Sequence, residues 1–396
     1  MWTLGIDVGK RRHVATLLDA QGQTVFRNYG FAQSRDGVEG LLGRLAEAEV
    51  PPDELVVGLE ATGHYWQILF EALVKAGWAV VVLNSLLTSA RRHMTIRGHK
   101  TDAVDADGIA QLLRQGQVPC SALPDETVQA LRDLTRLRFE CAQQAVGEKV
   151  RLVGMLDLAF PEYSTEFSNL FGATSREVLA QFPTAEALAH VDVERLTQLL
   201  KKASNGQLGR AKANQLKQAA QQSFALRGRQ ETLALEIRFL VERLNVLLGQ
   251  IEQLDEQLGE WMAQQHALLR SIPGVGPVRA PTILAEIWPM FHPKEKDGAK
   301  TLVAAAGLDA RQVESGQWKG KSKMSKRGSK YLRTALMQAA EVAVYRKKDP
   351  MLAALYQRQV DRGKHHTVAL SHVANEMLHV IFSVLKNNRP YRPVMT

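Results

Sequence analysis

Residues 3–8 read TLGIDV and residues 55–60 read LVVGLE. Each is a short apolar run with a carboxylate at or near its end. Runs of this length, rich in Val, Ile and Leu, are the pattern of strands buried on both faces. Asp7 and Glu60 are therefore expected at strand ends. Residues 12–18 and 23–28 alternate loosely and predict two more strands. The connections at Gly9-Lys10 and Gln21-Gly22 are short enough for hairpins. A helix follows over 36–49, with Val38, Leu41, Leu42 and Leu45 at helical spacing, and Pro51-Pro52 ends it. Beyond LVVGLE the pattern gives a helix over 65–76, a buried strand at AVVVLN and a helix near 101–115.

The order βββαβαβ followed by a helix makes a mixed α/β sheet and matches a ribonuclease-H-like (RuvC-like) domain. In that order the strand ending in Glu60 lies beside the strand holding Asp7. The last helix carries Asp102 and Asp105 in HKTDAVDADG, three residues apart and so on one helix face. Asp107 is five residues past Asp102, about 140° around the helix, and makes a poor fourth ligand. Phosphodiester chemistry with two Mg²⁺ ions needs acidic oxygen ligands on rigid elements, and Asp7, Glu60, Asp102 and Asp105 meet that need. Each alone has a plainer explanation: a strand-end Asp is often a turn former, and Asp102 could cap a helix. Four in this order argue for a metal site. Gly5 and Gly9 beside Asp7 would let a phosphate backbone approach closely.

From about 125 to 265 the chain reads as helical. Leu233, Ile237, Leu240, Leu244, Leu247, Ile251, Leu254, Leu258 and Trp261 alternate spacings of four and three, a coiled-coil seam. It could pack on a helix near 126–156 in the same chain, pair with another chain, or both. Residues 160–206 read as a small helical insertion. The remainder opens with LLRSIPGVGPVRAPTILAEI and closes with helices over 327–345 and 367–386, with a polar, basic loop from Arg311 to Lys326 between. The fold class is thus α/β plus all-α: residues 1–120 a catalytic sheet domain, 121–265 a helical, coiled-coil region, and 266–396 a helical C-terminal domain.

The 396 residues are 45% hydrophobic and 23% charged, an ordinary balance for a globular protein of two or three domains. No uninterrupted run of about 18 apolar residues occurs, so no membrane span is expected, and no signal peptide is read at the N-terminus. Cys120 and Cys141 lack metal-ligand spacing and fit a reducing cytoplasm. The net charge of +9 favours a polyanionic partner. Between Ser271 and Lys348 there are 15 Lys/Arg against 6 Asp/Glu, a surplus that equals that of the whole chain.

Within that segment, Ile272-Pro-Gly-Val-Gly-Pro looks like the turn of a helix–hairpin–helix element, with Gly274 and Gly276 freeing amides for a phosphate. A plain Gly/Pro turn is the alternative. Lys319, Lys321, Lys323, Lys326, Arg327, Lys330 and Arg333 form a dense cluster interleaved with Gly316, Gly320 and Gly328, with Trp318 available to stack on a base. His64 and His99 lie nearest the acidic motifs but read as ordinary helix-start or loop histidines.

GIDVGK, LEATGHYW, KTDAVDADGIA, SIPGVGPVRAPTILAEI and SGQWKGKSKMSKRGSKYLRTALMQAA together resemble the DEDD transposases of the insertion-sequence-110 family, which includes Piv-type DNA invertases. The resemblance covers both ends of the chain. It implies that Asp7, Glu60, Asp102 and Asp105 hold Mg²⁺, or Mn²⁺ in its place. It implies that Ser315, in VESGQWKG, attacks DNA and forms a covalent phosphoserine link, with Ser322 and Ser325 as weaker alternatives. It further implies donor and target DNA, a guiding bridge RNA, and dimers that pair into tetramers. Rival readings are a metal-only nuclease or Holliday-junction resolvase, an invertase that uses no RNA, and a nucleic-acid-binding protein without activity.

Overall fold

The computed structural model describes residues 1–60, 63–83, 101–116, 126–265, 267–291, 294, 297–311, 314–315, 318–319 and 323–393. These form two compact units, Met1–Asp125 and Glu126–Thr396.

The first unit is a five-stranded mixed sheet. Strands β1 (Trp2–Asp7), β2 (Arg12–Leu18) and β3 (Thr24–Ala32) are antiparallel neighbours, and β4 (Leu55–Glu60) and β5 (Ala79–Leu83) extend the sheet in parallel from β1. The order β3-β2-β1-β4-β5 is consistent with a ribonuclease-H-like domain. Helices α1 (Arg35–Glu47), α2 (Trp66–Lys75) and α3 (Asp102–Arg114) complete it. Leu4, Ile6, Leu17, Leu41, Leu45, Val57, Leu59 and Leu73 are buried in its core. β3 runs four residues past its expected end, because Tyr29 and Phe31 pair across to Ala15 and His13.

The second unit begins with the long helix α4 (Glu126–Ala159). A helical insertion follows: α5 (Tyr163–Glu166), α6 (Ala173–Gln181), α7 (Ala185–His190), α8 (Val193–Ala203) and α9 (Arg210–Gln221). It runs past the expected boundary at 206. It is built on fully buried Phe160 and Tyr163, whose hydroxyl donates to the Ser175 carbonyl at 2.9 Å. Helix α10 (Gln230–Gln265) then returns antiparallel to α4. Arg138 pairs with Asp255 at 2.9 Å, and 10 residues further along α4 Glu148 accepts from Arg243 at 3.1 Å. Leu233, Ile237, Leu240, Leu244, Leu254 and Leu258 are buried in this hairpin, so the heptad seam is filled within the chain. Each such side chain contributes about 1.5–3 kcal/mol.

The last part packs α11 (Arg279–Ile287), α12 (Gly298–Ala306), α13 (Lys330–Glu341), α14 (Pro350–Asp361) and α15 (His366–Asn387) around Ile283, Leu302, Leu336, Val373, Met377 and Ile381. Helix α15 is long and apolar enough to cross a membrane, at a mean hydropathy of 1.4, but half of that stretch is buried in this core. Glu286 of α11 is fully buried and meets two arginines of α4, Arg136 at 2.7 and 3.1 Å and Arg132 at 3.5 Å. That triad fastens the hairpin to the C-terminal helices.

Candidate active site and nucleic-acid interface

The four carboxylates come from three elements whose mutual placement is forced by packing. β1 and β4 run parallel with Gly5 beside Gly58 and Ile6 beside Leu59. Side chains alternate along a strand, so Asp7 shares a face with Gly5, and Glu60 shares it with Gly58. Helix α3 covers that face. A Cβ on Gly5 would stand 2.1 Å from the Ala106 carbonyl oxygen, and one on Gly58 would stand 2.8 Å from Ile109. The helix therefore lies directly on the two glycines. Gly5 serves this approach of protein backbone and not, as expected from sequence, the approach of a phosphate.

The direction of α3 is fixed too. Arg114 at its C-terminal end donates to the Gln21 carbonyl at 2.8 Å, beside the end of β2 that pairs with the start of β1. The N-terminal turn of α3 thus lies toward the other end of β1, where Asp7 is. That turn carries Asp102 and Asp105. Thr101 is the N-cap, accepting from the Val104 amide at 3.3 Å, so Asp102 is not the cap. Glu60 is buried, Asp7 and Asp105 are half-buried, and Asp102 is exposed. Asp107 points elsewhere: it accepts from Gln111 at 3.0 Å and stands 3.7 Å from Arg27 of β3.

The donor set is all carboxylate oxygen, which suits a hard cation such as Mg²⁺ or Mn²⁺. The acids share one end and one face of the sheet. Among the described residues, no three His, Cys, Asp or Glu side chains converge closely enough to hold an ion.

In the second unit the expected loop from Arg311 to Lys326 contains a two-tier β-hairpin. β6 (Ala310–Arg311) pairs with β9 (Lys323–Met324), and inside it β7 (Glu314–Ser315) pairs with β8 (Trp318–Lys319). Ser315 stands opposite Trp318, the last paired position before the turn. The base of the hairpin is tightly held. Gly307 ends α12 at φ +62°, and a Cβ on Gly328 would stand 2.1 Å from the Ala305 carbonyl oxygen. Ser325 donates its hydroxyl to Asp309, which commits it to structure. Lys321, Ser322, His99 and Cys120 lie outside the described residues.

The expected nucleic-acid contacts divide. Lys323, Lys326 and Arg327 are exposed. Lys330 is exposed at the start of α13 and lies over the rings of Tyr331 at 4.9 Å and Phe139 at 5.9 Å. Arg333 turns inward and donates to the Ala306 carbonyl at 2.8 Å, satisfying the end of α12. Gly274 is buried at φ +87°, where a Cβ would stand 2.1 Å from the Ala339 carbonyl oxygen. Close packing on α13 requires a glycine at this position. Gly276 has open space where a Cβ would be.

Two features escaped the sequence reading. His13 is fully buried, tilted against Phe31 with ring centroids 5.0 Å apart, and hydrogen-bonded to Gln33, which donates to the Tyr65 carbonyl at 3.0 Å. This chain braces the segment that follows Glu60. Burial lowers the His13 pKa against the opposing hydrogen bond, so the ring is neutral. Glu286 was equally hidden, although an acid inside the apolar run APTILAEI is a signal that a buried partner exists. His64 is exposed and packs on Tyr65, with ring centroids 4.3 Å apart.

Strand-end acids in one unit and a basic hairpin in the other are what a transposase would carry, and comparison with known proteins places the chain in that class. A transposase family model matches residues 4–161, which hold all four acids. A second, described as transposase IS116/IS110/IS902 family, matches residues 266–357, which hold Ser315 and the cations. The chain belongs to the IS110 family of DEDD transposases. It is similar over nearly its whole length to two proteins of insertion elements. One is the uncharacterized 44.8 kDa protein of IS116 from Streptomyces clavuligerus, 26% identical over 98% of this chain and 96% of that one. The other is the uncharacterized 42 kDa protein of IS900 from Mycobacterium paratuberculosis, 24% identical over 99% and 97%. A pilin gene-inverting protein of Moraxella bovis is 26% identical over 42% of this chain and 52% of its own length. Family membership makes the chain a DNA-cutting and rejoining enzyme.

Proposed function

We propose that this transposase cuts and rejoins DNA with Asp7, Glu60, Asp102 and Asp105 as its metal-binding set and Ser315 as its nucleophile. The observation that supports it best is the packing of α3 on Gly5 and Gly58, which brings all four acids to one end of one sheet face. When bound, Mg²⁺ stabilises negative charge on the phosphoryl group. Ser315 Oγ attacks phosphorus as the bond to one strand oxygen breaks. Its proton leaves to solvent and the departing oxygen takes one up. The reverse attack by an incoming strand hydroxyl restores the phosphodiester and frees the serine, so no energy source is consumed. The exposed Lys323, Lys326 and Arg327 hold flanking phosphates.

The test is a denaturing gel for protein-linked DNA. Asp7→Ala and Ser315→Ala are each expected to abolish strand cleavage. A covalent adduct retained in Ser315→Ala would remove the serine from its role, leaving a metal-only nuclease.

The same reading includes a bridge RNA and self-association. RNA of defined sequence copurifying with the chain, and loss of recombination on its digestion, are the expected results. The similarity to a gene-inverting protein favours a second reading, an invertase without RNA, for which digestion would change nothing. Self-association is supported by a second stripe on the helical hairpin. Leu235, Phe239 and Val246 of α10 are 50%, 50% and 56% exposed at heptad spacing, outside the filled seam. Phe239→Glu with Val246→Glu is expected to reduce the assembly to a smaller species in light scattering.

A further inference from the structure

Past the end of α13 the chain makes one π-helical turn, Val342–Arg346, closed by the Lys347 amide on the Val342 carbonyl at 2.9 Å. Such turns insert a residue and re-aim the side chains that follow, and they are common at functional sites. Here Ala343 and Val344 stay buried while Tyr345 is turned out, 46% exposed. Its hydroxyl lies 2.5 Å from that of Tyr356 on α14. Both hydroxyls lie against Nδ1 of His366, the first residue of α15, at 3.1 and 3.0 Å. The three rings stand 5.5–6.0 Å apart, none stacked on another.

The cluster is ringed by exposed cations from the same elements: Arg346, Lys347, Lys348, Arg362 and Lys364. Three acids share this stretch, Glu341, Asp349 and Asp361, against these five cations, so the rim stays net positive even with Glu341 close enough to act on Tyr345. Asp349 is buried, capping α14 at the Leu352 amide and accepting from Tyr391. Asp361 accepts from Gln357. The two phenol oxygens and Nδ1 of His366 face one another, which leaves ring surface exposed. Nδ1 lies within hydrogen-bond distance of both phenols. The Tyr345 hydroxyl is pushed up to about 12 by burial and by the Tyr356 hydroxyl beside it, so it keeps its proton and is no ready nucleophile. Binding, and not bond-making, is the role this chemistry fits.

Exposed aromatic rings fixed among lysines and arginines suit nucleotides whose bases are unpaired: the rings stack on base faces while the cations hold phosphates. A duplex presents phosphates but not base faces. The cluster is also separate from the basic hairpin. Lys330 opens α13 and Tyr345 lies 15 residues on, roughly 20 Å along a helix. We propose that Tyr345, Tyr356 and His366, with their cationic rim, form a second nucleic-acid site that takes an unpaired strand, at the opposite end of α13 from the hairpin.

Fluorescence anisotropy tests this with the full chain carrying Asp7→Ala, without metal, so the result is independent of the proposed catalytic site. The probes are a single-stranded RNA, a single-stranded DNA of the same sequence and a duplex DNA. Tyr345→Ala is expected to weaken single-strand binding by about 5- to 160-fold and to leave duplex binding unchanged. Tyr345→Phe keeps the ring and is expected to keep most of the affinity. Lys347→Ala with Lys348→Ala is expected to lower the salt-dependence slope for single strands by about 0.7 per lost phosphate contact. These two variants decide the matter even if Tyr345→Ala fails to fold. A loss confined to RNA assigns the site to an RNA, and a loss confined to single-stranded DNA assigns it to an opened DNA strand. No change with any probe, or an equal loss on the duplex, overturns the proposal.

Discussion

The acidic and the basic halves of this transposase are built on opposite plans. The acids stand at the ends of buried elements: two strands and a helix that rest on one another without room for a methyl group at Gly5 or Gly58. The cations stand on strands of two residues each and on the loop below them, with a pinned base and exposed side chains at Lys323, Lys326 and Arg327. Position in the first half is dictated by the core. In the second it is dictated by charge, and several side chains can share the task. Substitutions should therefore act abruptly in the first region and by degrees in the second.

The sharpest break of that comparison is Asp7→Asn. It keeps the size of the side chain and removes its charge. Strand cleavage is expected to fall by about 10³-fold or more, the scale for loss of a group that stabilises transition-state charge, while the thermal midpoint stays within a few degrees. Asp107→Asn, whose carboxylate is engaged by Gln111 and Arg27 instead, is expected to leave cleavage nearly intact. Equal losses in the two variants would mean that position on the sheet does not select the ligands.

Glu286 supplies the largest expected effect on stability. Burial alone pushes its carboxyl up, but Arg136 and Arg132 outweigh that and hold it below the usual carboxylate range. Removing the acid leaves two half-buried guanidinium groups without their carboxylate, so Glu286→Ala is expected to cost about 3 kcal/mol in urea unfolding. The sign with pH follows from the depressed value. The contribution is complete above the unfolded pKa and is lost as pH falls through the folded one. Melting curves of Glu286→Gln are accordingly expected to converge on those of the parent chain in acid. A third substitution, Gly5→Ala, is expected to cost about 1–3 kcal/mol or more through overpacking and to reduce cleavage as well, because the helix it displaces carries Asp102 and Asp105.

Much of the acidic half was legible before any coordinates. Short Val/Leu/Ile-rich runs at 3–8, 55–60 and 79–83 read as buried strands, and the helix spacing at 102 and 105 puts both acids on one face. What could not be read was which neighbour each glycine serves. Gly5 and Gly274 carry the same signature in sequence whether a phosphate or a helix backbone comes close, and only tertiary packing decides for the helix. The heptad over 233–261 was legible as a seam, but periodicity is the same for a partner in the chain or outside it. Strands of two residues leave almost no alternation to detect, so the hairpin formed by β6 to β9 looks like a loop in sequence. His13 and Glu286 were hidden because a buried polar group is defined by its partners, here 20 and 150 residues away.

The smallest effects separate cations that hold the protein from cations free to hold a ligand. Arg333 and Arg327 are six residues apart in one basic run, and composition gives no reason to treat them differently. Arg333 is half-buried with its guanidinium on the Ala306 carbonyl, whereas Arg327 is exposed. Arg333→Ala should lower stability by about 1 kcal/mol, the worth of an ordinary to charged hydrogen bond, and leave the salt dependence of duplex binding as it was. Arg327→Ala should do the reverse, reducing the slope of log K against log salt by about 0.9 with no change in unfolding. If both residues shift the slope alike, Arg333 releases its carbonyl to reach a phosphate, and the cationic half is less finely divided than its hydrogen bonds indicate. If neither does, the ligand's path lies along the hairpin strands above them, and Lys323 becomes the next position to test.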